Sequence, residues 1–236
     1  MSLAWSHLVT ERVEVEGVTL EFLDEPAGRL TREMFFEDAV RLVAAARGWE
    51  TPQDVAQLAA HYKFAPLLKA DLICVAREGL RVLGLCTYRF LSGGGARLLH
   101  TSNSSMLPEL QGKGIMTHIM YAALSRFMRR FPEGPHYLTL ITQSPVVYGA
   151  MHARGQLYPA LDGSPAPGNI QEIGRFLAHE FNPGLTFDEE RFVIRNECQF
   201  FYKQVPRYRD PKVNTFVDGL LRYREGDVMV LVLKPE

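Results

Sequence analysis

The chain is short of cysteine, of excess charge and of long apolar runs, and each shortage narrows what it can be. Only three cysteines occur: Cys74, Cys86 and Cys198. Their number is odd and no C-x-x-C pair is present. The expectation is therefore reduced, mostly buried thiols in a cytoplasmic protein, with no disulfide framework and no metal site. Lysine and arginine number 26 against 27 acids, a formal net charge of −1. That balance argues against a broad electrostatic footprint, so neither nucleic acid nor an acidic membrane is an expected partner. No apolar run approaches the roughly 20 residues that cross a bilayer. The opening "MSLAWSHLVTERVEVEG" has no basic start followed by an apolar block, so it does not read as a secretory signal. Internal repeats and low-complexity tracts are missing as well. What is left is 236 residues, 47% hydrophobic and 22% charged. This is the profile of an ordinary globular protein able to bury a sizeable core.

The apolar spacing gives the order of elements. "ERVEVEGVTLEFL" alternates about a turn at Glu16-Gly17, as an opening strand or hairpin does. Thr31 heads a segment in which Phe35, Ala39, Leu42, Val43 and Ala46 recur at helical spacing, with Gly48 as a stop. "TPQDVAQLAAHY" opens on Thr-Pro and predicts a second helix. "DLICVAREGLRVLGLCTYRFL" predicts an antiparallel hairpin, "GGGA" at 93–96 a flexible loop, and "RLLHTSNSSML" a strand whose second half turns polar. "GIMTHIMYAALSRFMRRF" is helical through Ile115, Ile119, Ala123 and Phe127. "HYLTLITQ" is a strand, and "SPVVYGAMHARG" a short helix capped by Ser144 with Pro145 just inside it. Beyond Asp162 come a helix in "IQEIGRFLAHEF", a strand in "ERFVIRNECQFFYK", a connection rich in proline and arginine, and a closing strand in "DVMVLVLK". The order predicts an α+β or mixed α/β fold in a single domain, 1–236, with an elaboration at 162–226.

One junction stands out. In "MLPELQGKGIMTHIM" a strand hands over to a helix through two glycines flanking a lysine. Either this is a tight turn, or it is a seat for phosphate at a helix N-terminus, where unpaired N–H groups and the positive dipole end meet.

The middle of the chain resembles the GNAT superfamily, the acyl-CoA-dependent N-acyltransferases. "QGKGIM" follows that family's Q/R-x-x-G-x-G/A signature at Gln111 and Gly114 and places Met116 where Gly or Ala is usual. The element order around it is similar over roughly residues 30 to 160. A later family helix motif, N-x-x-A-x-x-L-Y-x-K-x-G-F, survives only at Gly155, with Ser144 in place of Asn and Met151 in place of Tyr. The resemblance implies a central, mostly antiparallel, splayed sheet flanked by helices, here with an enlarged C-terminal segment. It implies acetyl-CoA or coenzyme A as co-substrate and a small-molecule or protein amine as acceptor. It also implies a C-terminal dimer contact in some members, so a homodimer is one expectation. Cofactor contacts fall on Met106 and Leu107 for the pantetheine arm, on Gln111, Gly112, Lys113, Gly114, Met116 and Thr117 for the pyrophosphate, and on Ser144. Met116 either narrows that seat or points into the core face of its helix.

Acyl transfer to an amine needs a proton acceptor and a donor to the departing thiolate. His100 falls where relatives carry a carboxylate base; it is either that base or a structural histidine. Glu109 is a second candidate base, or a solvated loop acid. With Met151 at the usual Tyr position, Tyr148 lies one helical turn earlier and is either the acid or a core residue. The competing functional class is an acyl-CoA-binding module without turnover.

Overall fold

A computed structural model describes residues 4–49, 51–62, 65–110, 112–198 and 202–235. The chain forms two compact units: Met1–Phe90 with Thr101–Pro132, and Leu91–His100 with Glu133–Glu236.

In the first unit, β1 (Glu11–Val15) and β2 (Val18–Asp24) form the expected antiparallel hairpin, with Glu16 and Gly17 at φ of 52° and 77°. Helix α1 (Arg32–Arg47) ends at Gly48, which is left-handed at φ 72° and donates back to Ala44 and Ala45. Helix α2 (Pro52–His61) starts with a reciprocal Thr51–Asp54 capping box. A four-residue helix α3 (Ala65–Leu68) follows, unannounced by any apolar period. Strands β3 (Leu72–Glu78), β4 (Arg81–Gly93) and β5 (Ala96–Met106) continue the sheet in the order β1-β2-β3-β4-β5. Helix α4 (Ile115–Arg130) buries Ile115, Ile119, Ala123 and Phe127, the four positions its spacing selects. Trp5 stacks on Phe35 with ring centroids 4.5 Å apart, closing the core over α1.

The second unit holds the start of β5, β6 (His136–Thr142), α5 (Pro145–His152), β7 (Gly155–Tyr158), α6 (Gly168–Phe181), β8 (Phe187–Asp188), β9 (Val193–Ile194), α7 (Pro211–Leu220) and β10 (Val228–Pro235). Its strand order is β5-β6-β10-β9-β8, with β7 also pairing β10. The pairings of β10 with β6, β7 and β9, and of β8 with β9, are all antiparallel. The fold class is therefore α+β, with a mostly antiparallel sheet flanked by helices. Leu98, Tyr158, Ile173, Leu177, Phe192 and Val230 are among the residues of its core.

Three sequence expectations need correction here. "GGGA" is no flexible loop: Gly93 ends β4, and Gly94 and Gly95, at φ of 58° and 71°, make a two-residue turn into β5. A Cβ on Gly93 would stand 2.5 Å from the Phe176 ring, and one on Gly94 would stand 2.8 Å from the Ile173 backbone, so α6 dictates these glycines. The strand expected in "ERFVIRNECQFFYK" shrinks to Val193–Ile194; residues 199–201 lie outside the described ones. The connection after it contains a full helix, α7, capped by Asp210 and opened by Pro211.

Candidate active site

The site starts from the end of β5. The Leu107 N–H donates to the Leu83 carbonyl at 2.9 Å. In an antiparallel ladder this bond joins opposed residues, so Met106 faces Gly84, Ser104 faces Cys86 and Asn103 faces Thr87. Gly84 and Met106 are close, as that register requires: a Cβ on Gly84 would meet the Met106 side chain at 3.0 Å. Neighbouring residues of a strand aim their backbone groups to opposite sides. Leu107 is thus engaged with β4, contrary to the expectation that it binds cofactor, while the backbone groups of Met106 point away from β4.

The glycine turn follows. Gln111 lies outside the described residues. Gly112 and Gly114 take φ of 78° and 73°, where a side chain is strained, and nothing lies within 4 Å of a Cβ on either. Packing does not explain two exposed left-handed glycines with open space before them. Gly114 is the N-cap of α4 and its carbonyl accepts from Thr117 N at 2.9 Å and His118 N at 3.1 Å. Lys113 is exposed beside it. Such a helix start presents N–H groups and the positive end of the dipole to whatever enters.

Met116 is turned away from that opening. Its Sδ lies 3.8 Å from Ser104 Oγ and 4.0 Å from Cys86 Sγ. The residue that departs from the signature therefore packs onto β4 and β5 and leaves the turn unfilled. Cys86 is fully buried and burial pushes its thiol up to about 12; Cys74, its partner across β3 and β4, is also pushed well up by burial. Neither is a thiolate nucleophile at neutral pH.

The opposite face of β4 and β5 carries a polar cluster that sequence reasoning missed. Asn103 Nδ2 donates to the Tyr62 hydroxyl at 3.2 Å and Asn103 Oδ1 accepts from Ser105 at 3.1 Å. Among the described residues, Thr87 Oγ1 is buried without a hydrogen-bond partner. Burial pushes the Tyr62 phenol up to about 12, against a smaller lowering by Arg47. The polar second half of "RLLHTSNSSML" was the available signal; Tyr62 gave none. Glu109, the second candidate base, is exposed and paired with Arg81 at 2.7 Å.

The proton-transfer candidates lie in the second unit. His100 is 2% exposed. Its Nδ1 is 3.0 Å from Thr139 Oγ1, and its ring stacks on Phe181 at 4.1 Å between centroids. Tyr148 is wholly buried; its hydroxyl donates to the Pro159 carbonyl at 2.8 Å and burial pushes the phenol up. Phe216 of α7 covers the Tyr148 ring at 5.3 Å. Ser144, also buried, accepts from Val147 N at 3.3 Å as the cap of α5. These three side chains have packing and hydrogen-bonding roles that account for them, and those roles run against the catalytic and cofactor-binding ones expected for them.

Among the described residues no group of three or more His, Cys, Asp or Glu could hold a metal ion, and no helix is long and apolar enough to cross a membrane.

No protein-family model matches this chain, and no curated protein does. Solved structures do. A GNAT family acetyltransferase from Brucella melitensis, in complex with acetyl-CoA, is 20% identical over 51% of this chain and 74% of its own, with a TM-score of 0.34. The PaiA N-acetyltransferase from Thermoplasma acidophilum, in complex with coenzyme A, is 12% identical over 64% and 94%, at 0.43. Arabidopsis thaliana Naa50, in complex with a bisubstrate analogue, is 13% identical over 92% and 97%, at 0.38. All three scores lie below 0.5, and the functional reading of this chain rests on its own residues.

Proposed function

We propose that the chain is a GNAT-type N-acyltransferase that uses acetyl-CoA and a primary amine, small-molecule or protein, in a direct ternary complex. One observation carries the reading: Gly112 and Gly114, both left-handed and both open where a Cβ would stand, at the head of a 16-residue helix that follows a strand. Gly112 to Thr117 would hold the pyrophosphate on backbone N–H groups, with Lys113 adding charge. The backbone of Met106 would bond the pantetheine amides. Acetyl-CoA supplies the acyl group as a thioester.

With His100 and Tyr148 engaged elsewhere, the chain's contribution is to bind and orient. Water takes the amine proton, and thiolate leaves without a side-chain acid. Turnover should then rise with pH until the amine itself is deprotonated, with no inflection near the ordinary histidine value of about 6.5. A direct transfer fits the buried, protonated Cys74 and Cys86.

The test is calorimetry with coenzyme A together with a thiol-release assay over a panel of amines. Gly114→Val should lower coenzyme A affinity at least about a hundredfold, through strain at positive φ and a filled seat. Unchanged affinity would overturn the reading. The engaged hydroxyl of Tyr148 favours one alternative, an acyl-CoA-binding module without turnover. Cofactor binding with no thiol released from any amine would select it.

A further inference from the structure

The first unit carries a cleft of about 610 Å³ between the start of β3 and the last turns of α4. It is remote from the glycine turn: Arg129 stands about 22 Å along the helix axis from Gly114. Four arginines and three carboxylates line it, and most of that charge is already matched. Every nitrogen of Arg126 is spent, on Asp24 at 2.7 Å, on the Ala122 carbonyl at 3.3 Å and on Glu11. Arg130 pairs with Glu25 at 2.7 Å. Three charges remain. Arg29 Nη2 donates to the Asp24 and Glu25 carbonyls at 2.9 Å and 3.0 Å, which holds the guanidinium without neutralising it. Arg129 is exposed and, among the described residues, has no ion-pair or hydrogen-bond partner. Asp71 accepts the Phe90 N–H on Oδ2 at 2.8 Å and, among the described residues, is in no ion pair. Phe90 is half-buried and sits edge-to-face on Phe127 at 5.6 Å between centroids, so a fixed apolar ring lines the cleft beside Asp71.

We infer that this cleft binds a small zwitterion with an apolar body, the chemistry of a free amino acid with an apolar side chain. The unmatched guanidinium groups of Arg29 and Arg129 suit a carboxylate, which a guanidinium takes in a fork. The Asp71 carboxylate suits an ammonium, and the Phe90 ring suits an apolar or aromatic side chain. A bare anion would leave Asp71 unmatched. A bare cation would leave both arginines so, and glycine would leave the ring uncovered. The inference is independent of acyl transfer, since no residue of the glycine turn takes part.

The experiment is calorimetry on the full chain at low ionic strength, without coenzyme A. L-phenylalanine, 3-phenylpropionate, phenethylamine and glycine are the separate probes; the last three lack the ammonium, the carboxylate and the ring in turn. L-phenylalanine should bind more tightly than each of them, and more weakly as salt rises. Arg129→Ala should weaken L-phenylalanine about tenfold or more, the usual loss for a charge-assisted hydrogen bond, and leave phenethylamine within about twofold. Asp71→Asn keeps an oxygen for the Phe90 N–H. It should weaken L-phenylalanine to a similar extent and leave 3-phenylpropionate within about twofold. Arg129 is exposed and unpartnered, so its variant should keep the fold, checked by circular dichroism. No binding at millimolar L-phenylalanine would overturn the inference, as would any of the three lesser probes binding as tightly. An amino acid held elsewhere, as an acyl acceptor, would be indifferent to Arg129→Ala and Asp71→Asn, and that outcome would overturn it too.

Discussion

At the scale of single residues, Met116 and Tyr148 show how a departure from a motif can mislead. Met116 stands where a small residue is usual, yet its sulfur lies against Ser104 and Cys86, so the turn stays open. Tyr148 has the chemistry of an acid and a helical offset that could bring it to a thiolate, yet its proton is already donated to Pro159. Tyr148→Phe is therefore expected to act on stability. Loss of that bond, which leaves a buried carbonyl unmatched, should cost about 1–2 kcal/mol. Thermal unfolding reads this directly, and thiol release should stay within about threefold of wild type, since a general acid would contribute at least about a hundredfold. A large fall in turnover with unchanged stability would restore Tyr148 to the mechanism. Sequence alone left both residues open because motif position fixes a place along a helix and not the partner of the side chain. The two glycines were legible for the opposite reason: their value lies in backbone conformation, which the residue type itself signals.

At the scale of elements, periodicity recovered α1, α2, α4, β6, α5 and β10, whose apolar residues are spaced by the geometry of the element itself. Helix α7 was missed although Asp210, Pro211, Val213 and Val217 spell a cap, a first-turn proline and a buried stripe. The surrounding prolines and arginines masked it. What no sequence pattern reported is what α7 and the segment before it do: they cover α5. Gly149 on α5 lies against Tyr208, whose ring would be 2.4 Å from a Cβ there. Asn214 holds Tyr208 by both amide groups, accepting from its N–H at 2.8 Å and donating to its carbonyl at 2.9 Å. This gives Gly149→Ala an expected sign. Alanine in a helix gains about 1 kcal/mol over glycine. Overpacking against the Tyr208 ring, whose backbone is pinned by Asn214, costs typically about 1–3 kcal/mol. The net expectation is destabilisation, read as a lower urea midpoint at unchanged slope. A stabilised variant would mean that Tyr208 yields, and that the cover over α5 is looser than its hydrogen bonds imply.

At the scale of the whole molecule, among the described residues each unit buries one carboxylate, and this sets how the protein should respond to acid. In the first unit, Glu21 accepts from Arg77 at 2.7 Å, Arg12 at 2.8 Å and the Trp5 indole at 3.2 Å. In the second, Asp227 gathers Arg195, Arg222 and the backbone N–H of Asn196. Burial pushes both carboxyls up, but the arginine hydrogen bonds outweigh it and hold each below its ordinary value. A carboxyl depressed in the folded state binds its proton more readily when unfolded. Its contribution is thus fully present above the unfolded value, about 4, and is lost as pH falls through the folded one. Stability should be flat from neutrality to about pH 5 and should then decline toward pH 2. Asp227→Asn should lower neutral stability by about 2–3 kcal/mol, somewhat less than the loss of a fully buried pair because Arg222 is half exposed. It should also make the acid limb shallower, because one of the protons that drives unfolding has gone. Glu21→Gln should do the same through the other unit. Urea midpoints between pH 2 and pH 7 for wild type and both variants decide the matter. Acid limbs of equal steepness in all three would show that the buried carboxylates are not what acid unfolding protonates.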